Sequence, residues 1–287
     1  MDSRPASSPI PCSVQVLTHN NEANIEPCLR ALADFAEVLV HDGHSTDRTL
    51  EIAGRFLNVR ISSQSNLLLD PEGRIRDFGA VRNEGLGAAR FPWILQVDAG
   101  EVLPAAFISE VRSAVSGSPA VYQVVRRFFL DRQRIDWHSG HPSMQIRLFH
   151  RSCTDGYTKA VHERLILHPH VIPHLFRTEL PEDLPPASAL PAKNAYYRQL
   201  ERQRLGVLPW GIWIRHVLYR NLRTSLLLLL RLAWIWFIPR HGKRMPLVYE
   251  FSYIGQQLRL IVELCPVCQG QGSGSGSGKR KSFARQP

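Results

Sequence analysis

A short, mostly apolar run from Trp93 to Val97 ends in two closely spaced acids, Asp98 and Glu101. A run of this length and composition predicts a buried central strand of a sheet. The two acids would then stand at the edge of that sheet, where open α/β folds bind their ligands. We therefore expect the rest of the chain to be organised around this strand.

Strand and helix patterns alternate before this run. Strands are expected at 13–18, 37–40 and 59–62, with helical patterns at 25–35, 50–56 and 78–89. Such alternation predicts βαβ units and a mainly parallel sheet flanked by helices, which is an α/β fold. A helix is expected at 104–115, and strands at 121–129 and 144–150 would add to a mixed sheet.

The second half of the chain differs in composition. Several prolines between Pro181 and Pro191 interrupt any regular element, so we place a domain boundary there. We expect a catalytic domain at 1–180, a small helical and basic region at 181–264, and a disordered Gly/Ser-rich and basic tail at 265–287.

The net charge of +10 is unevenly distributed. Residues 196–244 contain ten arginines and lysines but only one acid, Glu201, and four more basic residues lie in the tail. Residues 1–195 are slightly negative, so the first domain is not a general binder of polyanions. The basic residues alternate with long apolar runs, which suits lipid better than a nucleic acid, and we expect no nucleic-acid partner.

The basic region has the pattern of an interfacial helix. If residues 216–231 form one helix, His216, Arg220, Arg223 and Arg231 fall within about 80° of its circumference and leucines cover much of the rest. We therefore expect peripheral binding to an anionic membrane surface. A helix packed on the catalytic domain and a transmembrane hairpin are the alternatives. Because the first residues lack a signal-peptide core, we expect a cytoplasmic protein on the inner face of the cytoplasmic membrane.

Four motifs resemble those of family 2 glycosyltransferases in order and spacing. They are Val16–Asn20, Asp42–Thr49, Gly79–Asn83 and Asp98–Glu101. Downstream segments at 128–130, 145–149, 161–163 and 193–197 are similar to the subgroup that includes lipopolysaccharide core β-1,4-glucosyltransferases. The resemblance implies a GT-A fold, a UDP-sugar donor, a divalent metal (Mg²⁺ or Mn²⁺) and inversion at the anomeric carbon.

The resemblance also implies roles for individual residues on the donor side. Thr18, Asn20, Glu22 and Asp42 would bind the donor nucleotide, and Arg82 would lie near its diphosphate. Strand-end oxygen acceptors suit a uridine, and a basic side chain helps a diphosphate to leave.

Two further roles follow from the resemblance. Asp98, which would also bind the donor, and Glu101 would hold the metal through oxygen ligands. Asp98 and Glu163 would be catalytic, with Glu163 as the base that activates the acceptor hydroxyl. We expect transfer of a hexose to a saccharide acceptor, in particular one on a membrane glycolipid such as lipopolysaccharide core.

The sequence also departs from the family pattern. Gly100 occupies the second acidic position of the usual Asp-x-Asp motif, and Asn21 stands where an acid usually follows Asn20. Either Glu101 replaces the missing metal ligand or metal use is weakened. A non-catalytic GT-A relative that binds nucleotide-sugar or scaffolds at a membrane stays open, as does a transferase with a protein or polysaccharide acceptor.

Overall fold

The structure, a computed structural model, describes residues 8–70, 74–158, 163–237 and 241–267. Internal contacts divide the chain into two compact units. The first comprises Met1–Pro186 together with His241–Arg244, and the second comprises Ala187–Arg240 together with Met245–Pro287. A short return segment, His241–Arg244, thus belongs to the first unit although it follows most of the second in sequence.

All strands of the described residues lie in the first unit. Its strands in the described part of the chain are β1 Ile10–Thr18, β2 Phe35–Asp42, β3 Val59–Ser63, β4 Trp93–Asp98, β5 Val121–Leu130, β6 Gln133–Arg134, β7 Ser143–His150, β8 Thr154–Thr158, β9 Arg164–Leu167, β10 His174–Leu175 and β11 Leu180–Asp183. The main sheet has the order β10-β5-β7-β4-β1-β2-β3, with β6 and β11 also paired to β5. Strands β8 and β9 form a separate pair.

Helices connect the strands and make up the second unit. They are α1 Ile25–Ala31, α2 Thr49–Ala53, α3 Phe78–Ala88, α4 Ala105–Val115, α5 Leu190–Leu205, α6 Trp210–Trp213, α7 Tyr219–Phe237 and α8 Leu247–Glu263. Helix α3 begins at a capped turn, because the Asp77 carboxylate accepts a hydrogen bond from the backbone N–H of Ala80 at 2.9 Å.

The predicted α/β fold is confirmed. Strand β1 pairs in parallel with both β2 and β4, and β2 pairs in parallel with β3. The side chains of these strands form a continuous buried core with α1 and α4. The run Trp93–Val97 is buried throughout, as its apolar composition predicts.

One predicted boundary was wrong. The helical pattern assigned to 25–35 ends at Ala31, and Phe35 instead begins β2. Phe35 is buried in the same core as Ile25 and Leu29, so its spacing imitates a further helical turn. A hydrogen bond from the Ile10 backbone N–H to the Asp34 carbonyl at 2.8 Å instead aligns this stretch with β1.

The second unit is helical in its described part. The face of α7 that packs inward contains polar as well as apolar residues, namely Asn221, Ser225, Leu228, Leu232 and Ile235. Residues 216–231 are helical throughout, as the pattern supposes, but their first turn is irregular, because Ile214–Leu218 is π-helical and the regular α7 begins at Tyr219. Asn221 contributes to this irregular start through its Nδ2 donor to the Val217 carbonyl at 2.8 Å. Among the described helices, none has the length and apolarity required to span a bilayer.

Candidate active site

The ends of three adjacent strands bring together residues that are far apart in sequence. In the register of the sheet, Thr18 of β1 lies opposite Asp42 of β2, and Leu17 lies opposite Asp98 of β4. Neighbouring strands are about 4.8 Å apart. Thr18, Asp42 and Asp98 therefore share the carboxyl edge of the parallel part of the sheet.

Asp42 is buried at this edge and organises the turn that follows β2. Its carboxylate accepts hydrogen bonds from the Ser45 backbone N–H at 2.9 Å and from the Ser45 hydroxyl at 2.5 Å. Thr18 accepts a hydrogen bond at its Oγ1 from the Asn21 side chain at 3.1 Å. Both polar groups thus stand at the edge but also hold the local turns in place.

Gly43 lies close to both residues, where a side chain would be crowded. A methyl group on residue 43 would come within 3.2 Å of the Gln64 Oε1 atom and 3.4 Å of the Thr18 carbonyl oxygen. Gln64 Oε1 is itself buried and has no hydrogen-bond partner in the ranges that the structure describes. A buried acceptor of this kind at a ligand-binding edge is suited to an N–H donor of a ligand.

Asn20 and Glu22 lie in the loop after β1 and are exposed. The Asn20 Oδ1 atom accepts from the Thr46 backbone N–H at 2.8 Å, and Glu22 accepts from the Arg48 backbone N–H at 3.1 Å. These contacts join the loop after β1 to the loop after β2. The structure therefore places both residues beside the edge, with their side chains engaged in holding the loops.

Arg82 of α3 connects the strand edge to Glu163, which lies 81 residues further along the chain. Arg82 is almost completely buried and donates from Nε to the Glu163 carboxylate at 2.7 Å, while its Nη2 lies 3.6 Å from Asp98 Oδ1. Burial alone would lower the pKa of Arg82, but the Glu163 and Asp98 carboxylates outweigh it and raise that pKa. The guanidinium therefore stays charged beside the exposed Asp98.

Arg82 also retains an unused donor. Its Nη1 atom is buried without a hydrogen-bond partner among the described residues. Residues 159–162, including His162, lie outside those residues.

Glu101 has a different partner from the one expected of it. Its carboxylate receives two hydrogen bonds from Arg147 of β7, at 2.5 and 3.0 Å, and a third from the Asp98 backbone N–H at 3.0 Å. Arg147 is only 1% exposed. Burial raises the pKa of Glu101, with the Arg147 charge opposing that rise. In this structure Glu101 is one half of a buried, bidentate ion pair.

Sequence reasoning missed the contribution of Arg147. Its signal was present, since an arginine stands inside the apolar stretch Ile146-Arg147-Leu148-Phe149. A charged residue at a buried strand position requires a partner of opposite charge. Only the register of β4 against β7 shows which acid provides it.

The described residues do not fit the expected divalent metal. Asp98 is the one acid of the motif with an exposed side chain, at 56%, and its two oxygens lie 3.6 Å from Arg82 and 3.8 Å from Arg147. Glu101 is occupied by Arg147, and Gly100 has no ligand to offer. Within the described ranges, no group of three or more histidine, cysteine or acidic residues is arranged to hold a metal ion. Hard divalent cations favour several oxygen ligands.

The arrangement can nevertheless recognise a polar ligand, because the exposed Asp98 carboxylate accepts hydrogen bonds and the buried Arg82 Nη1 donates them. One exposed carboxylate stands between two buried guanidinium groups, and a second carboxylate, Glu163, is fixed by one of them. Polar strand ends lie on the side of β1 and β2. Preorganised charges in a partly water-excluded site are the features that stabilise charge transfer between groups.

Comparison with known proteins identifies the family of the chain. The sequence model described as Glycosyl transferase family 2 matches residues 13–176, which is more than half of the chain. Those residues include every site residue discussed above. A search of curated proteins found no significant match.

Several solved structures are similar to the chain at low identity. The structure of S. aureus TarS 1–349 has 15% identity and a TM-score of 0.41, with 89% of this chain and 81% of that chain covered. Glucosyl-3-phosphoglycerate synthase from Mycobacterium tuberculosis, in complex with Mn²⁺, UDP and phosphoglyceric acid, has 23% identity and a TM-score of 0.31, with 42% and 43% covered. Mannosyl-3-phosphoglycerate synthase from Rubrobacter xylanophilus has 20% identity and a TM-score of 0.32, with 42% and 40% covered. The chain thus spans less than half of the two synthases.

Proposed function

This chain belongs to glycosyl transferase family 2, and from that premise we propose that it is an inverting transferase that moves a hexose from a UDP-sugar to a saccharide acceptor. The acceptor is part of a membrane glycolipid such as lipopolysaccharide core. The observation that carries the proposal is the position of Asp98, exposed at the carboxyl edge between Arg82 and Arg147 and next to the strand ends of Thr18 and Asp42.

The donor would lie along this edge. Its nucleoside binds beside Thr18 and Asp42, where Gln64 offers a buried acceptor. The diphosphate lies near Arg82, whose charge stabilises the leaving group as the bond to the sugar breaks. Asp98 accepts hydrogen bonds from donor hydroxyl groups. Because the described residues do not fit a divalent metal, the proposal assigns no step to one.

Glu163 is the proposed base. A general base must lie within hydrogen-bond reach of the hydroxyl whose proton it takes. Arg82 holds one Glu163 oxygen at 2.7 Å, so the carboxylate has a fixed orientation at the same site as Asp98. In one displacement the acceptor oxygen attacks the anomeric carbon and Glu163 takes its proton, while the bond from that carbon to the diphosphate oxygen breaks and UDP leaves from the opposite face, which inverts the configuration.

The test of the donor site is calorimetric titration with UDP, together with turnover of UDP-sugars. Asp98→Asn removes one charge and should lower UDP-sugar affinity or turnover at least about tenfold, since charged hydrogen bonds are worth about 1.5–3 kcal/mol. The matched control is Asp34→Asn, because Asp34 is similarly exposed at 60% and precedes β2 at the opposite edge of the sheet. Near-normal turnover of the Asp98 variant would refute the site.

The second unit supports the proposed membrane partner. On α7, large apolar side chains are exposed on the side away from the buried face, namely Leu222, Leu226, Leu229, Leu230 and Phe237. At about 100° per residue, Arg220, Arg223 and Arg231 lie along one flank of this apolar band. An exposed apolar face beside a basic flank suits the interface of an anionic bilayer.

Vesicle sedimentation tests this membrane proposal. The protein should sediment with phosphatidylglycerol-containing vesicles at low salt and much less with phosphatidylcholine alone, because each basic group near an anionic surface adds about 1 kcal/mol. Arg220→Glu with Arg223→Glu should abolish the preference. Arg30→Glu with Arg55→Glu is the control, since it changes the charge equally on exposed residues of the first unit. Equal loss of vesicle binding in both double variants would show that net charge, and not the position of the arginines on α7, causes the binding. Binding would support the proposed place on the inner face of the cytoplasmic membrane.

A non-catalytic role is the second candidate, and two observations favour it. Gly100 lacks the usual carboxylate, and Arg147 occupies Glu101. A protein that binds UDP-sugar tightly but never cleaves it, even by slow hydrolysis over days, would fit this role. Measurable donor hydrolysis that Glu163→Gln reduces would support the transferase, and screening of glycolipid, polysaccharide and protein acceptors would then identify the acceptor class.

A further inference from the structure

A cavity of about 440 Å³ lies in the first unit, apart from the residues assigned above. Arginine, histidine, tryptophan and aspartate side chains line it: Arg127, Arg134, Asp136, Trp137, His141 and His241. Cavities of a few hundred Å³ are typical sites for small ligands. The return segment His241–Arg244 provides one of its walls.

The sheet topology places this cavity on a particular side of Asp98. Strand β5 is antiparallel to β7, which is antiparallel to β4, so β5 and β4 run in the same direction. Tyr122 and Leu95 both pair with Leu148 and are thus level with each other. Arg127 is five residues beyond Tyr122, and Asp98 is three beyond Leu95. Arg127 therefore lies about 7 Å further than Asp98 in the direction of the strands, and about two strand spacings, roughly 10 Å, to the side.

This is the side away from the proposed nucleoside site. Strands β1, β2 and β3 lie on one side of β4, while β7 and β5 lie on the other. With the nucleotide beside β1 and β2 and the sugar near Asp98, the acceptor approaches from β7 and β5. The cavity is positioned to hold the acceptor.

The charges that line the cavity are held in fixed positions. Arg127 is paired with Glu179, with Nε at 2.8 Å, and Arg134 is paired with Asp136 at 3.0 Å. Asp136 also accepts from the Lys243 backbone N–H at 2.8 Å, which ties the return segment to this group. Arg127 uses Nη2 as well as Nε in its pair with Glu179, so a phosphate or carboxylate would bind to the remaining N–H donors of the two guanidinium groups, which these pairs hold in place.

Two ring side chains add specific features. The Trp137 indole donates to the His241 carbonyl at 2.8 Å, which fixes the plane of the ring. His141 Nδ1 is buried and has no hydrogen-bond partner within the described part of the chain. A fixed indole provides an apolar surface for a sugar ring, and the unpartnered nitrogen can contact a polar substituent.

From these observations we propose that the cavity is an acceptor subsite for a saccharide that bears an anionic substituent, with the sugar against Trp137 and the phosphate or carboxylate between Arg127 and Arg134. This inference rests on the proposed transferase function only in naming the ligand an acceptor. The recognition of an anionic saccharide follows from the cavity itself.

Ligand-observed NMR with three probes tests the inference: glucose 6-phosphate, glucuronate and glucose. The anionic sugars should bind at least about tenfold more tightly than glucose, because a charged hydrogen bond is added. The stronger of the two anionic probes identifies the substituent. Equal binding of all three sugars would overturn the inference.

Arg134→Met is the informative variant. The Arg134 side chain is 54% exposed, so the variant should fold, and the loss of its charge should weaken glucose 6-phosphate binding about tenfold. Arg132→Met is the matched control from the turn just before β6, because Arg132 is exposed and does not line the cavity. His241→Ala provides a second, exposed cavity variant. Equal affinity of the parent protein and all three variants would overturn the inference.

UDP titration of the same variants separates this inference from the proposed function. UDP affinity should be unchanged in Arg134→Met, since the cavity is not on the nucleoside side. If UDP binding is lost in the Asp98 variant but the affinity for anionic sugars is the same in the parent and the cavity variants, only the subsite inference fails. If anionic sugars bind in the cavity and UDP binds nowhere, the transferase proposal fails and the anionic-saccharide site stands.

Discussion

Replacing Glu101 by glutamine distinguishes an ion-pair role from a metal-binding role. Glutamine preserves size and one acceptor oxygen but removes the charge that neutralises Arg147. Arg147 would then be a buried cation whose nearest remaining acid is Asp98, at 3.8 Å. The ion-pair role predicts a loss of stability, whereas a metal-binding role predicts a loss of metal-dependent nucleotide binding.

The size of the stability loss can be estimated from the geometry. Removing one partner of a buried ion pair costs about 3–5 kcal/mol, and the partial exposure of Glu101 places it near the lower end, at about 3 kcal/mol. Each kcal/mol corresponds to about 2–4 °C in Tm for a domain of this size. We therefore expect the Tm of Glu101→Gln to fall by about 6–12 °C.

Asp98→Asn is the matched control. Asp98 lies near the same arginines, but its side chain is more than half exposed, and exposed ion pairs contribute only about 0–1 kcal/mol. Its Tm should change by no more than about 4 °C. Thermal unfolding by calorimetry and UDP titration with Mn²⁺ or with chelator measure both properties. An unchanged Tm in Glu101→Gln, together with the loss of Mn²⁺-dependent UDP binding, would refute the ion-pair role.

Three further predictions concern other positions. Gly100→Asp should fold normally, since a methyl group there meets only Asn24 Cβ at 3.9 Å among the described residues. The variant should bind UDP more tightly with Mn²⁺ than with chelator, whereas the UDP affinity of the parent protein should change little between the two. Identical chelator responses in the two proteins would contradict this. Gly85→Ala should weaken nucleotide binding, because the added methyl group would overlap the Gln15 side chain. That side chain donates to the Arg82 carbonyl at 2.9 Å and so helps to position Arg82. Equal UDP affinity in the variant and the parent would show that Arg82 does not depend on this contact. Burial would raise the pKa of Glu37, but hydrogen bonds from Ser13, Arg90 and Arg60 outweigh it and lower that pKa from its ordinary 4.5. The resulting stability is complete above about pH 4.5 and is lost as the pH falls through the lowered pKa. Urea unfolding over a pH series should therefore show a steeper loss of stability in acid for the parent protein than for Glu37→Gln.

Strand ends were the part of the site that the sequence could predict. Asp42 and Asp98 follow apolar runs, and the βαβ alternation requires such runs to lie in parallel, so their carboxyl ends meet at one edge. This inference needs only local patterns and a topological rule. It does not depend on the exact register.

Contacts between distant segments could not be predicted in the same way. Glu101 and Arg147 are 46 residues apart, and their pairing depends on the antiparallel register of β4 and β7. A sequence pattern shows that each acid is available but not which base will neutralise it. The expected metal role for Glu101 therefore left out a competing partner.

The π-helical turn at Ile214–Leu218 was equally hidden from the sequence. A hydrophobic pattern reports which side of a helix is apolar, and one additional residue in a turn shifts that side without changing the composition. The arginines of α7 nevertheless keep their angular cluster, because Arg220, Arg223 and Arg231 all follow the irregular turn.

The return of His241–Arg244 to the first unit has a practical consequence for dissecting the protein. Helices α5 to α7 are an insertion within the first unit rather than an appendage after it. Cleavage of the chain after Pro186 would keep the whole nine-stranded sheet but deprive Asp136 of its Lys243 partner and remove a wall of the cavity. If the proposed acceptor subsite is correct, a truncated protein that binds donor but does not transfer sugar would lack both a wall of that subsite and helix α7, so its failure would not show that membrane attachment is essential.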